Sequence, residues 1–197
     1  NRRENITDWA LKQFCEQYSD KKITKWDIFY NVYGLLHHPG YRAKYADNLK
    51  RELARIPFAP DFRAFAKAGK ELAHWHLDYE EIEPYPLNFV ETKGVPLSYR
   101  VEDKMRLTKD KTGLVVNKSL TLTGIPEKCF KYRLGNRSAL EWVVDQYQVK
   151  KDARTRIVSD PNREDDPEYI VRLVGQVVRV SLETVRIVEG LPEEFGG

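Results

Sequence analysis

Apolar residues recur at intervals of three and four over the first eighty positions, which predicts a series of amphipathic helices. Thr7 and Thr24 each precede such a stretch and suit the N-cap position, and Asp27 completes a capping-box pattern with Thr24. The sequence His38-Pro39-Gly40 interrupts the pattern before a third helix, and Asp61 is suited to cap a fourth. The apolar residues that define the four helices are Trp9, Leu11, Phe14, Tyr18, then Trp26, Phe29, Tyr30, Tyr33, Leu36, then Tyr41, Tyr45, Leu49, Leu53, and finally Phe62, Phe65, Ala66, Leu72, Ala73.

The pattern changes after a stretch that contains three prolines and scattered acidic residues. This stretch, residues 80–96, is predicted to be a connection and an internal boundary. From Lys104 to Thr123, apolar and polar residues alternate with the period of two that is typical of strands. Two turn sequences separate three predicted strands: Asp110-Lys111-Thr112-Gly113 and Asn117-Lys118. We predict a small antiparallel meander with one basic face.

Helical spacing returns in the second half of the chain. Ser138 with Glu141 forms another capping-box pattern ahead of a helix, and a polar loop is expected from Lys150 to Asp166. Pro167 then suits the first turn of a long closing helix that stops at Gly190. We therefore predict an α+β fold with a predominantly helical N-terminal half, a small antiparallel β-meander in the middle and a long C-terminal helix. The predicted domains are 1–80, a helical region, and 81–197, an α+β region.

The composition is typical of a folded protein, since 41% of the 197 residues are hydrophobic and 32% are charged. No apolar run approaches the ~20 residues that a membrane-spanning helix needs, and no secretion signal opens the chain. The chain begins at Asn1, so we expect a fragment, a processed chain or a trimmed form. With only two cysteines, Cys15 and Cys129, we expect no disulfide framework and a reducing cytoplasm.

Charge is unevenly distributed along the chain, although the net charge is only +3. Residues 104–156 contain 13 Lys and Arg against 5 Asp and Glu. Residues 61–103 contain 5 against 9, and residues 164–197 contain 3 against 8. A basic middle between acidic flanks indicates an anionic partner, whereas a solvated charged surface would give the same pattern.

One set of residues superficially matches a metal-dependent nuclease. Asp61, Glu91 and Lys93 supply the two carboxylates and the lysine that such sites use to hold a divalent ion and position the attacking water. Asp61 is more consistent with a helix cap, and Glu91 falls in the proline-bounded connection. The nuclease is therefore a minor alternative.

Other catalytic and cofactor-binding patterns are incomplete. His74 and His76 would point about 200° apart on a regular helix and could not hold one metal ion together. Gly69-Lys70 lacks the first glycine and the Ser or Thr of a phosphate-binding loop. We therefore predict no catalytic, metal or cofactor site within this chain.

Recognisable sequence stretches occur along nearly the whole chain. In the first half they are 4–8, 23–30, 33–37, Pro39-Gly40-Tyr41-Arg42 and Arg55-Ile56-Pro57-Phe58. In the second half they are Thr121-Leu122-Thr123-Gly124-Ile125-Pro126, Ser138-Ala139-Leu140-Glu141-Trp142, Tyr147-Gln148-Val149, Ser159-Asp160-Pro161-Asn162, Glu183-Thr184-Val185 and Gly190-Leu191-Pro192. Together they resemble the C-terminal specificity region of type ISP restriction–modification enzymes. The second half is the more diagnostic, because sequences similar to the first half also follow methyltransferase domains in related phage-defence enzymes.

In that family one polypeptide carries a nuclease domain, an ATP-driven helicase-like translocase, a linker, an adenine-N6 methyltransferase and this target-recognition region. The resemblance implies that the chain reads a short asymmetric duplex DNA sequence for both methylation and restriction, in a bacterial or archaeal cytoplasm. It implies S-adenosylmethionine, ATP and magnesium as cofactors of the parent enzyme. The fragment lacks the family's methyltransferase and Walker motifs, so the resemblance implies no cofactor and no activity for it alone. The implied partners are double-stranded DNA and the methyltransferase and helicase domains of the same polypeptide, with residues 1–80 packing on the methyltransferase domain.

Three candidate DNA-binding surfaces lie in the basic middle of the chain, because Arg suits guanine, Asn suits adenine and Lys supplies charge for phosphates. The first is the strand face with its turns: Lys104, Arg106, Lys109, Lys111, Asn117 and Lys118. The second is a glycine-containing loop: Arg133, Asn136 and Arg137. The third is the predicted polar loop: Lys150, Lys151, Arg154, Arg156, Asn162 and Arg163.

Structural roles compete with DNA contact at each of these residues. A surface charge or a turn residue explains any one of them equally well, and turn formation explains Asn162. Trp26, Tyr33, Trp142 and Tyr147 occur at helical spacing beside aliphatic residues, so we interpret them as packing residues rather than as base-stacking residues. The alternative for the whole chain is a structural module that docks enzyme domains without reading bases.

Overall fold

The computed structural model describes residues 4–196. The chain divides into two compact units, one formed by Asn1–Leu77 with Arg186–Gly197 and the other by Asp78–Val185. A helical first half, short antiparallel strands and a long final helix confirm the predicted α+β class. Among the residues described, no helix is both long enough and apolar enough to span a bilayer.

The first unit is built from helices whose starts are capped as predicted. Thr7 caps α1 (Asp8–Gln17) through its hydroxyl, and Thr24 and Asp27 form the capping box of α2 (Lys25–His37). The Asp61 carboxylate accepts a hydrogen bond of 2.9 Å from the Ala64 amide at the start of α5 (Phe62–Leu77). The helices of this unit that precede residue 78 are α1 (Asp8–Gln17), α2 (Lys25–His37), α3 (Pro39–Lys44), α4 (Ala46–Leu49) and α5 (Phe62–Leu77).

The third predicted helix is wrong in its extent, because the chain forms two short helices where one was expected to continue to Leu53. α3 ends at Lys44, and the backbone of Tyr45 (φ −107°, ψ 20°) leaves the helical region before α4 begins. Leu53 is 95% exposed. The Tyr41 hydroxyl donates a 2.7 Å hydrogen bond to the carbonyl of Arg55 beyond α4, a contact that apolar spacing does not reveal.

Two glycines let α2 and α5 pack with their backbones in close approach. A Cβ atom added to Gly69 would lie 1.8 Å from the carbonyl oxygen of Tyr30, and one added to Gly34 would lie 2.5 Å from that of Phe65. Side chains larger than hydrogen do not fit at either position. Helix packing therefore explains Gly69, which in the sequence resembles part of a phosphate-binding loop.

The second unit contains a four-stranded antiparallel sheet with the strand order β1-β4-β3-β2. Its strands are β1 (Asn88–Glu91), β2 (Arg106–Leu107), β3 (Gly113–Val115) and β4 (Leu120–Thr123). The register places Leu114 opposite both Leu107 and Leu122, which brings apolar side chains together on one face. β2, β3 and β4 confirm the predicted meander.

The remaining elements of the chain connect and cover this sheet. They are a 3₁₀ helix (Glu127–Lys131), the hairpin β5 (Arg133–Leu134) and β6 (Arg137–Ser138), α6 (Ala139–Gln146), the hairpin β7 (Lys150–Lys151) and β8 (Val158–Ser159), and α7 (Tyr169–Glu189). The capping box of Ser138 and Glu141 is present at the start of α6, and α7 is the predicted closing helix. The predicted polar loop from residue 150 is wrong in part, since it contains the β7–β8 hairpin.

β1 lies where only a connection was predicted. Its four residues are all exposed, so the strand lacks the period-two apolar pattern that indicates a half-buried strand. The stretch before it is fastened to α7, because the Gln176 side-chain amide donates to the carbonyls of Glu80 (2.7 Å) and Ile82 (3.1 Å). The buried core that α7 shares with the sheet and α6 includes Met105, Leu114, Leu120, Leu122, Leu140, Ile170, Leu173, Val174 and Val178.

Candidate nucleic-acid interface

The first predicted surface begins next to β2. Lys104 and Arg106 are exposed on either side of Met105, which is fully buried, as the alternating pattern predicted. The Arg106 guanidinium lies 3.8 Å from the Asp103 carboxylate, and an exposed pair of this kind contributes about 1 kcal/mol or less. Both basic side chains therefore remain accessible to an anionic partner.

The turn between β2 and β3 separates two lysines by environment. Asp110 organises the turn by accepting a 2.5 Å hydrogen bond from the Thr108 hydroxyl, which lowers the pKa of Asp110. Lys111 adopts a φ of 59°, and its ammonium lies 2.9 Å from a carboxylate oxygen of Glu141. Lys109 is exposed and makes no ion pair within residues 4–196. Among the residues described, the turn thus leaves Lys109 without an ion pair and pairs Lys111, which is also exposed, with Glu141.

Asn117 uses its whole side-chain amide within the second unit. The NH₂ group donates to two backbone carbonyls, those of Ser98 (2.7 Å) and Arg100 (2.8 Å). The oxygen accepts from two backbone amides, those of Ser119 (2.7 Å) and Leu120 (3.0 Å). Two donors and two lone pairs are the full capacity of an amide. Contact between Asn117 and DNA stays a prediction, and it would require these bonds to break.

The second predicted surface is the β5–β6 hairpin. Gly135 has a φ of 70° and occupies the first central position of a two-residue loop, the place where a type II′ turn favours glycine. The Arg133 guanidinium donates to the carbonyl of Asn136. The Asn136 side-chain amide is exposed and makes no hydrogen bond within the described part of the chain. Arg133 and Asn136 therefore present planar polar groups to solvent.

Arg137, on the same hairpin, is held more tightly. Its guanidinium lies 2.8 Å from the Asp145 carboxylate and 5.6 Å from the centre of the Trp142 ring. The hydrogen bond from Arg137 lowers the pKa of Asp145. The hydrogen bond from the Ser138 backbone amide is the largest of the effects that lower the pKa of Glu141 to about 2. Both carboxylates are therefore ionised at neutral pH.

The hairpin and Lys104 line one open cleft with a volume of about 320 Å³. The first and second predicted surfaces therefore meet at Lys104. The cleft offers three cations and one free amide against two carboxylates, both of which are already paired, Asp145 with Arg137 and Glu141 with Lys111. This arrangement suits the edge of a base or a phosphate. The residues that line it are Lys104, Arg133, Asn136, Arg137, Glu141, Val144 and Asp145.

The third predicted surface is mostly the β7–β8 hairpin. Lys150 lies opposite Ser159 and Lys151 lies opposite Val158 in its antiparallel register. Every residue from 150 to 160 is exposed. The cations that it carries without an ion pair among residues 4–196 are Lys150, Lys151, Arg154 and Arg156.

Asn162 and Arg163 follow this hairpin but make protein contacts. The Asn162 side chain accepts from the Val101 amide (2.8 Å) and donates to the Val101 carbonyl (2.9 Å), as a neighbouring strand would. The Arg163 guanidinium carbon lies 3.2 Å from the centre of the Tyr169 ring. Their predicted DNA contacts remain untested, and the contacts observed are structural.

Two residues of this hairpin were missed in the sequence. Ile157 and Val158 are 67% and 54% exposed, which is unusual for adjacent apolar β-branched residues. The available signal was an apolar pair that follows the turn-forming sequence Asp152-Ala153-Arg154-Thr155. The interpretation of Trp26 as a packing residue also fails in part, since Trp26 is 60% exposed.

Residues 4–196 contain no group of three His, Cys, Asp or Glu side chains that could hold a metal ion. Asp61 caps α5 in the first unit, whereas Glu91 lies on β1 in the second. His76 takes part in packing, because its Nδ1 atom lies 2.7 Å from the Tyr33 hydroxyl and burial lowers its pKa to about 4. The nuclease alternative therefore gains no support from the described residues.

Residues 1–173 match the protein family described as Type ISP C-terminal specificity domain. A nuclease-deletion mutant of the Type ISP restriction-modification enzyme LlaGI, in complex with a DNA substrate mimic, is 37% identical over 89% of this chain and 14% of its own, with a TM-score of 0.79. The ATP-dependent Type ISP enzyme LlaBIII, bound to DNA, is 33% identical over 98% of this chain and 12% of its own, with a TM-score of 0.86. DrdV in a DNA complex is 40% identical over 98% of this chain and 20% of its own, with a TM-score of 0.84. The chain thus spans 12–20% of the length of these relatives. No curated protein matches it.

Proposed function

Because the chain belongs to the family of Type ISP C-terminal specificity domains, we propose that it recognises a specific sequence in duplex DNA. In this role it directs methylation and restriction by a larger single-polypeptide restriction–modification enzyme. The similar structures of LlaBIII and DrdV contain DNA, and that of LlaGI contains a DNA substrate mimic, which supports duplex DNA as the partner.

The observation that carries the proposal is a set of exposed basic side chains in the second unit that make no close ion pair with a carboxylate of the described residues. Seven of the predicted cations make no ion pair within residues 4–196: Lys104, Lys109, Lys118, Lys150, Lys151, Arg154 and Arg156. When Lys or Arg side chains such as these bind phosphates, they release counterions from the duplex. An interface that uses six or more of them loses roughly 10³- to 10⁵-fold in affinity between 50 and 200 mM salt.

Base recognition needs groups other than point charges, and Arg133 and Asn136 supply them. Arginine forms paired hydrogen bonds with guanine, and asparagine forms them with adenine. Both side chains are exposed at the open cleft that they share with Lys104. In this proposal Lys104 and the other unpaired cations hold phosphates, while Arg133 and Asn136 read base edges.

The test is selection of the full 197-residue chain on a randomised duplex pool, at about 50 mM and about 200 mM salt so that phosphate-driven binding is separated from base recognition. We expect one short asymmetric motif to be enriched at both salt concentrations. Binding at low salt without a motif would contradict sequence recognition by this chain, and so would an absence of binding at both concentrations.

Variants of the cleft then test which residues read the motif. Arg133→Ala and Asn136→Ala should each weaken binding to the selected duplex by roughly 5- to 150-fold and relax the choice of base at one position. Arg55→Ala is the matched control, because it removes the same charge from the first unit, where Arg55 makes an exposed ion pair of 3.6 Å with Glu52. Equal losses for Arg133→Ala and Arg55→Ala would refute base reading by Arg133.

The parent enzyme would supply the catalytic domains and their cofactors. We propose that S-adenosylmethionine, ATP and magnesium bind in its methyltransferase, translocase and nuclease domains. We also propose that residues 1–80 pack on the methyltransferase domain while residues 81–197 carry target recognition. Exchanging residues 104–163 between two relatives with different targets should exchange the target sequence, and an unchanged target would refute this division.

A docking module without base readout is the second candidate function, and an exposed aromatic surface on α2 favours it. Trp26 and Phe29 are 60% and 44% exposed, and the Trp26 ring stacks 5.8 Å from that of Tyr30. Under this alternative the chain selects no motif from the pool, and the exchange of residues 104–163 leaves the target unchanged. The nuclease alternative predicts magnesium-dependent nicking that Lys93→Ala abolishes.

A further inference from the structure

The β7–β8 hairpin has an exposed tip, and hydrogen bonds fix the end that joins the second unit. All of the residues from 150 to 160 are exposed, so the hairpin projects from the second unit rather than covering its core. Lys150 lies opposite Ser159 and Lys151 opposite Val158, and a further bond of 2.9 Å joins the Asp152 amide to the Ile157 carbonyl. The hairpin is therefore a two-stranded ribbon that reaches at least from residue 150 to residue 159.

Hydrogen bonds fix both ends of this ribbon to one segment of the unit. On the first strand side, the Val149 amide donates a 2.8 Å hydrogen bond to the Asp103 carbonyl. On the second strand side, Asn162 exchanges two hydrogen bonds with Val101, of 2.8 Å and 2.9 Å. An ion pair between Arg100 and Asp160 adds to these contacts. The end of the ribbon that joins the unit is thus fixed, so the hairpin points in a defined direction. A segment that recognises DNA bases requires such a fixed direction.

The turn of the hairpin uses the only acidic residue between positions 150 and 159. The Asp152 carboxylate accepts hydrogen bonds from the Thr155 amide (2.6 Å), the Thr155 hydroxyl (2.8 Å) and the Arg154 amide (3.0 Å). The bond from the Thr155 amide is the largest of the effects that lower the pKa of Asp152. The Asp152 carboxylate is ionised, so residues 150–159 carry four positive charges against one negative charge.

Arg156 occupies a backbone conformation that usually favours glycine. Its φ is 60°, and its amide closes the turn through a 2.9 Å hydrogen bond to the Asp152 carbonyl. The Arg156 side chain makes no ion pair or hydrogen bond within residues 4–196 that would offset this unfavourable backbone geometry. Arg156 thus has an unfavourable backbone conformation, and its side chain makes no ion pair or hydrogen bond within residues 4–196. Such a side chain is suited to contact a partner.

Ile157 follows Arg156 directly and is 67% exposed, with the 54% exposed Val158 next to it. Apolar β-branched side chains at the end of a basic ribbon fit an environment that offers both phosphates and apolar groups. The major groove of duplex DNA offers both, since each thymine presents a methyl group there. It is about 12 Å wide and admits a two-stranded ribbon, whereas the minor groove is about 6 Å wide.

We propose that the β7–β8 hairpin enters the major groove of the target duplex. There the Arg156 guanidinium donates hydrogen bonds to a guanine edge, and Ile157 packs against a thymine methyl group. This inference rests on the proposed function of the chain. Lys150, Lys151 and Arg154 hold the flanking phosphates. Asn162 is a positioning residue that keeps the ribbon pointing into the groove, not a residue that reads a base.

The first experiment locates the hairpin on the motif that the chain selects. Dimethyl sulfate modifies guanine N7 in the major groove and adenine N3 in the minor groove. We expect the intact chain to protect at least one guanine N7 in the motif and Arg156→Gly to lose that protection. Arg156→Gly suits this purpose because glycine tolerates the left-handed backbone and the turn is kept. Protection that is unchanged in Arg156→Gly would overturn the assignment.

Affinity measurements on the same duplex complete the test. Arg156→Gly should bind the motif roughly 5- to 150-fold more weakly, whereas the matched variant Arg154→Gly should mainly reduce the dependence of affinity on salt. Replacing the motif's thymines by uracil should weaken the unmodified chain about fourfold for each methyl group that Ile157 contacts. The uracil duplex and the thymine duplex should then bind Ile157→Ala equally.

The outcomes separate this inference from the proposed function. If the chain selects a motif but Arg156→Gly and Ile157→Ala bind it with unchanged affinity, the hairpin does not read the target, and the proposed function stands. A motif without thymine, or uracil sensitivity that persists in Ile157→Ala, would overturn the contact assigned to Ile157. If the intact chain selects no motif, the proposed function and this inference both fail.

Discussion

Replacing Asn117 with alanine separates a structural role from a role in DNA contact. The substitution removes two donors from the carbonyls of Ser98 and Arg100 and removes the acceptor shared by the amides of Ser119 and Leu120. Each such hydrogen bond contributes about 1 kcal/mol net, and the half-buried position lets water replace part of what is lost. We therefore expect the free energy of unfolding of the second unit to fall by roughly 2–4 kcal/mol.

Urea unfolding followed by circular dichroism measures this loss. With a urea m-value of roughly 1.5 kcal/mol/M, a loss of about 3 kcal/mol lowers the unfolding midpoint by about 2 M. Lys118→Ala is the matched control, because Lys118 is the exposed neighbour and makes no ion pair among residues 4–196. It should leave the midpoint unchanged and reduce the slope of log affinity against log salt by about 1, the effect of losing one phosphate contact.

Two results would refute the reasoning on Asn117. An unchanged midpoint in Asn117→Ala would show that the hydrogen bonds of the Asn117 side chain do not stabilise the unit. A folded Asn117→Ala protein that selects a different motif would show that the amide reads a base. The expected result is a less stable protein whose folded fraction binds the same motif.

Three further predictions follow from single residues. Gly69→Ala should lower the free energy of unfolding by about 2 kcal/mol, and with it the melting temperature, because the new methyl group would lie 1.8 Å from a backbone oxygen. Gly190→Ala, whose new methyl group would have its nearest contact at 3.5 Å, should change the melting temperature little. Similar shifts in melting temperature for both variants would contradict this account. Burial lowers the pKa of His76 from 6.5 to about 4, so as the pH falls the unfolded chain binds a proton at a higher pH than the folded chain does. The free energy of unfolding is therefore lost as the pH falls from 6.5 to about 4. The partly exposed ring limits the loss from His76 to about 1–2 kcal/mol. Urea titrations at several pH values should therefore show a smaller loss in His76→Gln than in the intact chain; part of the loss remains because burial also lowers the pKa of His37. Burial raises the pKa of Cys129 to about 11, so iodoacetamide should label Cys15 in the folded protein and label Cys129 only in urea; mass spectrometry that finds Cys129 labelled without denaturant would refute its burial.

The candidate site was predictable from sequence in its chemistry and only partly in its geometry. The concentration of Lys and Arg in residues 104–156 indicated an anionic partner before any fold was known. The glycine turn at Gly135 was also visible, because a turn of this type depends on adjacent residues. Which cations are free was not visible. Lys111 is paired with Glu141, thirty positions further along the chain, whereas Lys109 in the same turn makes no ion pair among residues 4–196.

Features that depend on neighbours along the chain are readable from the sequence alone: the helix caps at Thr7, Thr24 and Ser138, the alternation around Met105 and the family resemblance. These are local because a cap or a strand face involves residues only two to four positions apart.

Residues whose partners are distant in sequence acquire their roles only in the folded chain. Asn162 serves as a neighbouring strand for Val101, sixty-one positions earlier, and Gly69 is required by the backbone of Tyr30. β1 is a strand because β4 offers it an edge, and not because its own residues alternate. Hydrogen bonds and close packing act through space, and a one-dimensional pattern records only the interactions whose partners lie within a few residues.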